Sequence, residues 1–112
     1  MQQTAGILKG VRVLDLSRML SGPYCTMMLA DHGAEVIKIE SGSGDTSRAN
    51  GPFRDDDPDH LWAGYFVSLN RSKKSVQLDL KSPDGKAAFC TLVRDADVLV
   101  ENFRPGVMER LG

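Results

Sequence analysis

Val11-Arg12-Val13-Leu14-Asp15-Leu16, then a helical stretch from Pro23 to His32, then Glu35-Val36-Ile37-Lys38-Ile39-Glu40 follow one another within residues 11–40. The first and last are short runs rich in valine, isoleucine and leucine, which read as strands, and Gly33 supplies the left-handed residue that ends the helix between them. A strand, a helix and a strand at this spacing make a βαβ crossover, which forces the two strands to be parallel and joined with right-handed connection. The remainder extends the pattern. Leu61 to Leu69 reads as a short helix and Ser75-Val76-Gln77-Leu78-Asp79-Leu80 as a third strand. Ser82-Pro83-Asp84 opens a helix with an N-cap, a proline at the first position and an acidic first turn. Phe89, Leu92, Val93 and Ala96 then recur at i, i+3, i+4 and i+7, one apolar stripe facing the sheet. Asp97-Val98-Leu99-Val100-Glu101 is the last strand, and Pro105 to Leu111 a final helical stretch. The expected fold class is α/β, three layers around a mainly parallel sheet, over a single domain of residues 1–112.

Between the second strand and the short helix, Ser41 to His60 breaks this pattern with glycines, prolines and Asp45, Asp55, Asp56, Asp57 and Asp59. Long irregular insertions inside a compact domain are usually functional or mobile. The run Asp55-Asp56-Asp57 lacks the alternating ligands and glycine of a calcium loop, so it reads as a solvated loop. Neither His32 nor His60 has partners at metal or triad spacing, and no metal site is expected.

The 112 residues carry 14 basic and 15 acidic side chains, a formal net charge of -1, which gives no general reason to bind nucleic acid or an anionic membrane surface. Any anion site must be local. No apolar run approaches the roughly 18 residues of a membrane span, and Met1-Gln2-Gln3-Thr4-Ala5-Gly6 lacks the layout of a signal peptide, so the expected location is cytoplasmic. Cys25 and Cys90 fall in apolar helical patterns and read as reduced packing residues.

Two strand-to-helix joints are the places to look for chemistry, because such joints aim backbone N–H groups into the space beyond the strands' carboxyl ends, where open α/β sheets bind ligands. The first, Ser17-Arg18-Met19-Leu20-Ser21-Gly22-Pro23, has one glycine where a dinucleotide fingerprint needs three, which disfavours a nicotinamide or flavin dinucleotide but not another phosphate-bearing ligand. The second contains Asn102, Phe103 and Arg104, with Arg110 further on. These supply an amide for a base or pantetheine amide, a flat aromatic face and guanidinium groups suited to phosphate. An exposed turn with a solvated arginine is the alternative.

Five ordered blocks decide between them: Gly10–Ser17, Ser21–Glu40, Gly42-x-Gly44-Asp45-x-x-Arg48, Leu69-Asn70-Arg71-x-Lys73-x-Ser75-x-x-Leu78-Asp79-Leu80 and Asp97–Gly106. Together they resemble the amino-terminal segment of the class III coenzyme A transferases, the group of formyl-CoA transferase, carnitine CoA-transferase and alpha-methylacyl-CoA racemase. The resemblance runs from Leu8 to Gly112.

The resemblance implies a Rossmann-like fold that is the incomplete amino-terminal part of an interlocked homodimer, completed by a carboxyl-terminal remainder. It implies coenzyme A or acyl-CoA and a carboxylic acid as substrates, with no prosthetic group. Coenzyme A contacts fall on the residues matching Met19, Leu20 and Ser21, on Leu78, Asp79, Leu80 and Lys81, and on Asn102, Phe103, Arg104 and Arg110. The arginine that the family often places after the second strand, near the 3′-phosphate, is Ser41 here, with Lys73, Lys74 or Arg48 as substitutes. The nucleophilic aspartate, which forms a mixed anhydride and then a CoA thioester, is expected downstream of Gly112, so no catalytic residue is assigned in this chain. Transferase and racemase stay open, as does a free-standing nucleotide- or CoA-binding module.

Overall fold

In a computed structural model that describes residues 6–112, four strands form one sheet: β1 (Arg12–Asp15), β2 (Glu35–Glu40), β3 (Lys73–Gln77) and β4 (Val98–Val100). All ladders are parallel and the order is β3-β2-β1-β4. The reading of Met1–Gly6 lies, but for Gly6, outside the described residues. Helices α1 (Ser21–Asp31), α2 (Gly64–Leu69), α3 (Pro83–Arg94) and α4 (Val107–Leu111) complete the chain, with a 3-10 turn at Thr46–Ala49. None of these helices is long and apolar enough to cross a membrane.

Successive strand residues point to opposite faces, and both faces are covered. Val13 and Val36 pack with Ala30 and Ala34 on the α1 side, whereas Leu14, Leu16, Ile37 and Ile39 pack with Val76, Phe89, Leu92 and Met108 on the α3 side. That is the three-layer arrangement expected. The connection through α1 steps from β1 to β2, the one through α2 steps on to β3, and the connection through α3 returns past β2 and β1 to β4. The direction of winding therefore reverses between β1 and β4, the position at which parallel α/β sheets open a crevice beyond their strand ends.

Several boundaries differ from the sequence reading for identifiable reasons. Pro23 is the third residue of α1, whose N-cap is Leu20, and Pro105 precedes the N-cap Gly106 of α4, so neither proline takes the first helical position. Ser82 does cap α3, its Oγ accepting from the Gly85 amide at 3.0 Å. The third strand lies earlier than expected because Lys73 and Lys74, which look like solvated loop residues, pair with β2. Cys25 and Cys90 are free but exposed and do not pack as expected: α1 buries the stripe Gly22, Pro23, Thr26, Met27 and Ala30, and Cys25 falls outside it. Val93 likewise turns from the core while Phe89, Leu92 and Ala96 join it. Asp57 belongs to no solvated run either; it is buried and accepts the amides of Leu61 and Trp62.

The α1 face carries a buried polar network toward the strands' carboxyl ends. Asp15 accepts from the Ser17 amide and hydroxyl, from Thr26 Oγ1 at 2.6 Å and from Lys73 Nζ at 3.0 Å. Lys38 Nζ donates to Asp45 and to the Ser17 carbonyl, each at 2.9 Å, and Arg48 grips Glu40 through two nitrogens while lying 3.7 Å from the Phe66 ring centroid. Burial pushes the Asp45 carboxyl up, but the Ser47 amide and the Lys38 ammonium hold it below its ordinary value. Burial likewise raises Glu40 while the Arg48 guanidinium and the Asp45 amide more than compensate.

Both carboxyls therefore bind protons less readily folded than unfolded. Their stabilisation is complete above the ordinary carboxylate range near pH 4 and is lost as pH falls through the lowered values. Chemical denaturation at a series of pH values should give a stability flat from about pH 7 to 5 and falling below about pH 4. A shallower acid slope is expected for Glu40→Gln, and an unchanged slope would remove Glu40 from the cause.

Candidate functional site

The ends of β1 and β4 are neighbours, with Asp15 opposite Val100 and the Leu16 amide donating to the Val100 carbonyl at 2.8 Å. The chain leaving β1 turns through Ser17, Arg18, Met19 and Leu20 into α1, and the chain leaving β4 turns through Glu101 to Gly106 into α4. Asn102 ties the two turns together: its Oδ1 accepts the Arg18 amide at 2.9 Å and its Nδ2 donates to the Arg18 carbonyl at 2.8 Å. The Asn102 side chain thus holds the two turns together through both of its groups.

The backbone amides of the first turn are engaged too. Those of Ser17, Arg18 and Met19 go to Asp15, Asn102 and Asp45. The expectation that this joint offers free N–H groups fails for these three residues, so recognition there falls to side chains. Gly22 serves packing: a Cβ would collide with the Ser17 side chain and come within 3.3 Å of Asn102 Cγ, so only glycine lets α1 start this close to the turn.

Beyond the two strand ends lies a cleft of about 530 Å³ lined by Leu16, Arg18, Ile39, Ser41, Leu78, Asp79, Leu80, Lys81, Phe103, Val107, Arg110 and Leu111. Its floor is aliphatic and aromatic. Its wall bears Arg18, Lys81 and Arg110, none of which forms an ion pair with any described residue, against the single carboxylate of Asp79. Asp79 Oδ1 in turn accepts the Lys81 amide at 3.0 Å, which folds the exit of β3 back on itself. The Arg18 guanidinium carbon sits 5.2 Å from the Phe103 ring centroid, within cation–π range.

Seven residues singled out in the sequence line this one cleft: Ser41, Leu78, Asp79, Leu80, Lys81, Phe103 and Arg110. Met19, Leu20, Ser21, Asn102 and Arg104 do not line it. Arg18 is the one charged residue of this lining that sequence reasoning did not assign to the site. Its signal was available, since a basic residue directly beyond the first strand stands at the carboxyl edge where ligands bind. The substitutes considered for an arginine at Ser41 are all occupied elsewhere: Lys73 is buried against Asp15, Lys74 pairs with Glu35 at 3.3 Å, and Arg48 with Glu40. Among the described residues no group of His, Cys, Asp and Glu could hold a metal ion.

The model of CoA-transferase family III matches residues 8–112. The chain belongs to this family. Family III relatives include a succinyl-CoA:mesaconate CoA-transferase of Haloarcula hispanica, 51% identical over 105 residues that make up 94% of this chain and 26% of that protein. A formyl-CoA:oxalate CoA-transferase of Rhodopseudomonas palustris is 51% identical over 107 residues, 94% of this chain and 24% of that protein. The chain thus spans about a quarter of the length of the curated relatives it matches. Among solved structures, a CAIB/BAIF family protein from Brucella suis superposes with a TM-score of 0.88 at 38% identity, covering 96% of this chain and 29% of that one. The orthorhombic form of Rv3272 from Mycobacterium tuberculosis gives 0.88 at 42%, covering 98% and 30%. The α/β arrangement is therefore shared with these solved structures.

Proposed function

We propose that this chain is the coenzyme A-binding amino-terminal part of an acyl-CoA:carboxylic acid CoA-transferase. The observation that carries the reading is the cleft at the β1/β4 reversal, where three cations that pair with no carboxylate among the described residues stand over an apolar floor with one aromatic ring. Coenzyme A needs both halves of that combination. Its phosphates suit the Lys81 ammonium and the Arg18 and Arg110 guanidinium groups, and its adenine suits the flat, apolar surface offered by Phe103 and the surrounding leucines. The volume lies within the range of small-molecule sites, about 300–1,000 Å³.

In this proposal the chain binds and orients the thioester, and the nucleophile is an aspartate on polypeptide outside residues 1–112. That carboxylate attacks the acyl carbonyl and expels the coenzyme A thiolate, leaving a mixed anhydride. The thiolate then attacks the aspartyl carbonyl and releases the acyl group as its acid, leaving an aspartyl-CoA thioester for the acceptor acid to attack. No prosthetic group is required, and the proposed location is cytoplasmic. Tyr24 and Met28 on the outer side of α1 and Val98 and Leu99 on the edge strand β4 are exposed apolar groups, which supports a carboxyl-terminal remainder and a homodimer partner as their cover.

Titration calorimetry with coenzyme A tests the binding, and an assay of acyl-CoA with a series of carboxylic acids tests the chemistry. The complete protein is expected to bind and turn over, while residues 1–112 alone give no transfer, because positioning cannot replace an absent nucleophile. Turnover by the pure 112-residue chain would refute the assignment of the nucleophile to polypeptide outside it.

A further inference from the structure

The irregular segment after β2 holds a buried carboxylate that reaches the first turn without reaching the cleft. Asp45 is 2% exposed and does not line the cleft. Its Oδ1 accepts from the Ser47 amide at 2.9 Å, the Ser47 hydroxyl at 2.8 Å and the Met19 amide at 3.3 Å, and its Oδ2 accepts from Lys38 Nζ at 2.9 Å. The same Lys38 ammonium donates to the Ser17 carbonyl at 2.9 Å. Of the other charged groups about this pair, Lys73 is paired with Asp15, Glu40 and Arg48 are committed to each other, and Glu40 also accepts the Asp45 amide at 2.8 Å.

What these bonds hold is the backbone on either side of Arg18. Ser17 is fixed by Lys38, Arg18 by Asn102 and Met19 by Asp45, each partner coming from a different part of the chain. Met19 is also left-handed at φ 69°, a conformation that a long side chain adopts only where its surroundings over-determine it. Three consecutive residues pinned by side chains, one of them in an unfavourable conformation, leave little freedom in the direction Arg18 takes. Arg18 is the residue of this turn that enters the cleft, over Phe103.

We infer that Asp45 is a positioning residue for ligand binding: together with Asn102 it fixes the turn so that Arg18 is presented to the anionic part of the ligand before the ligand arrives. The inference rests on the reading of the cleft as the coenzyme A site. A group held in its bound direction in advance does not lose that freedom on binding, which is how a residue that never touches the ligand changes affinity.

A double-mutant cycle in the complete protein tests this, with coenzyme A as the titrant and circular dichroism confirming the fold of each variant. Asp45→Asn is expected to weaken coenzyme A about tenfold in the wild-type background and less than about twofold when Arg18 is already alanine, because a residue acting through Arg18 loses its effect with it. Asp45→Asn should also lower the dependence of affinity on ionic strength, as Arg18→Ala does. Should Asp45→Asn fail to fold, Asn102→Ala, at an exposed position, runs the same cycle and decides. Equal losses in both backgrounds, or no loss from the positioning variant, would overturn the inference while leaving the site reading in place. Wild-type affinity in both Arg18→Ala and Arg110→Ala would instead overturn the site reading, and the inference with it.

Discussion

Lys38→Met is expected to destabilise the fold by about 3–5 kcal/mol at pH 7, the characteristic cost of removing one partner from a buried ion pair. The side chains of Lys38 and Asp45 are 2% and 1% exposed, so solvent cannot replace the lost ammonium at either the Asp45 carboxylate or the Ser17 carbonyl. Methionine fills nearly the same volume, which keeps a cavity out of the comparison. For an isolated buried pair, replacing the second partner by an apolar residue commonly restores stability. Here Lys38→Met/Asp45→Leu should not do so, because Asp45 also satisfies the Ser47 amide and hydroxyl and the Met19 amide. Urea unfolding of the wild type and the two variants checks both statements. A loss below about 1 kcal/mol for Lys38→Met would place the pair in the weak, solvent-screened class of surface bridges.

Lys38 also marks the limit of what the sequence discloses. Glu35-Val36-Ile37-Lys38-Ile39-Glu40 is recognisable as a strand from its isoleucines and valine, and it is one, over those same residues. The lysine in its middle was the visible sign of a buried charge, but its partners lie 7 and 21 residues away in the chain, and no local pattern names them. The third strand was placed too late for the same reason: Lys73 enters the sheet because Asp15, 58 residues earlier, waits for its ammonium. The crossover and the α3 cap were legible because they depend on period, turn chemistry and handedness, which are local or topological.

The candidate cleft was legible partly from the joint after the last strand, which holds Phe103 and Arg110, and partly from the family resemblance, which implies Leu78 to Lys81. Leu78 to Lys81, Phe103 and Arg110 meet in one cleft because β3, β2, β1 and β4 lie side by side and parallel, so their exits open on the same edge of the sheet. The structural role of Asn102 was not legible, because its amide looks equally suited to a ligand or to a neighbouring turn. Only the approach of the two exits shows that the Arg18 backbone occupies both of its groups.

Removing the cleft's cations should therefore cost more affinity than any other change at this site. In the complete protein, Arg18→Ala and Arg110→Ala are each expected to weaken coenzyme A by about 10- to 150-fold, the equivalent of about 1.5–3 kcal/mol for a charge-assisted contact. Arg104→Ala, outside the cleft lining, should cost less than either. Arg18→Lys separates charge from shape. The ammonium keeps the charge but loses the planar face that lies 5.2 Å from the Phe103 centroid, so its affinity should fall between those of wild type and alanine. Because these contacts are electrostatic and partly open to solvent, the gap between wild type and the alanine variants should narrow as salt rises from low ionic strength to about 1 M, where the screening length is about 3 Å. An affinity loss independent of salt would point to a change of shape in the cleft. Equal losses for Arg104→Ala and Arg18→Ala would mean that the ligand extends beyond the cleft lining onto the turn that bears Arg104.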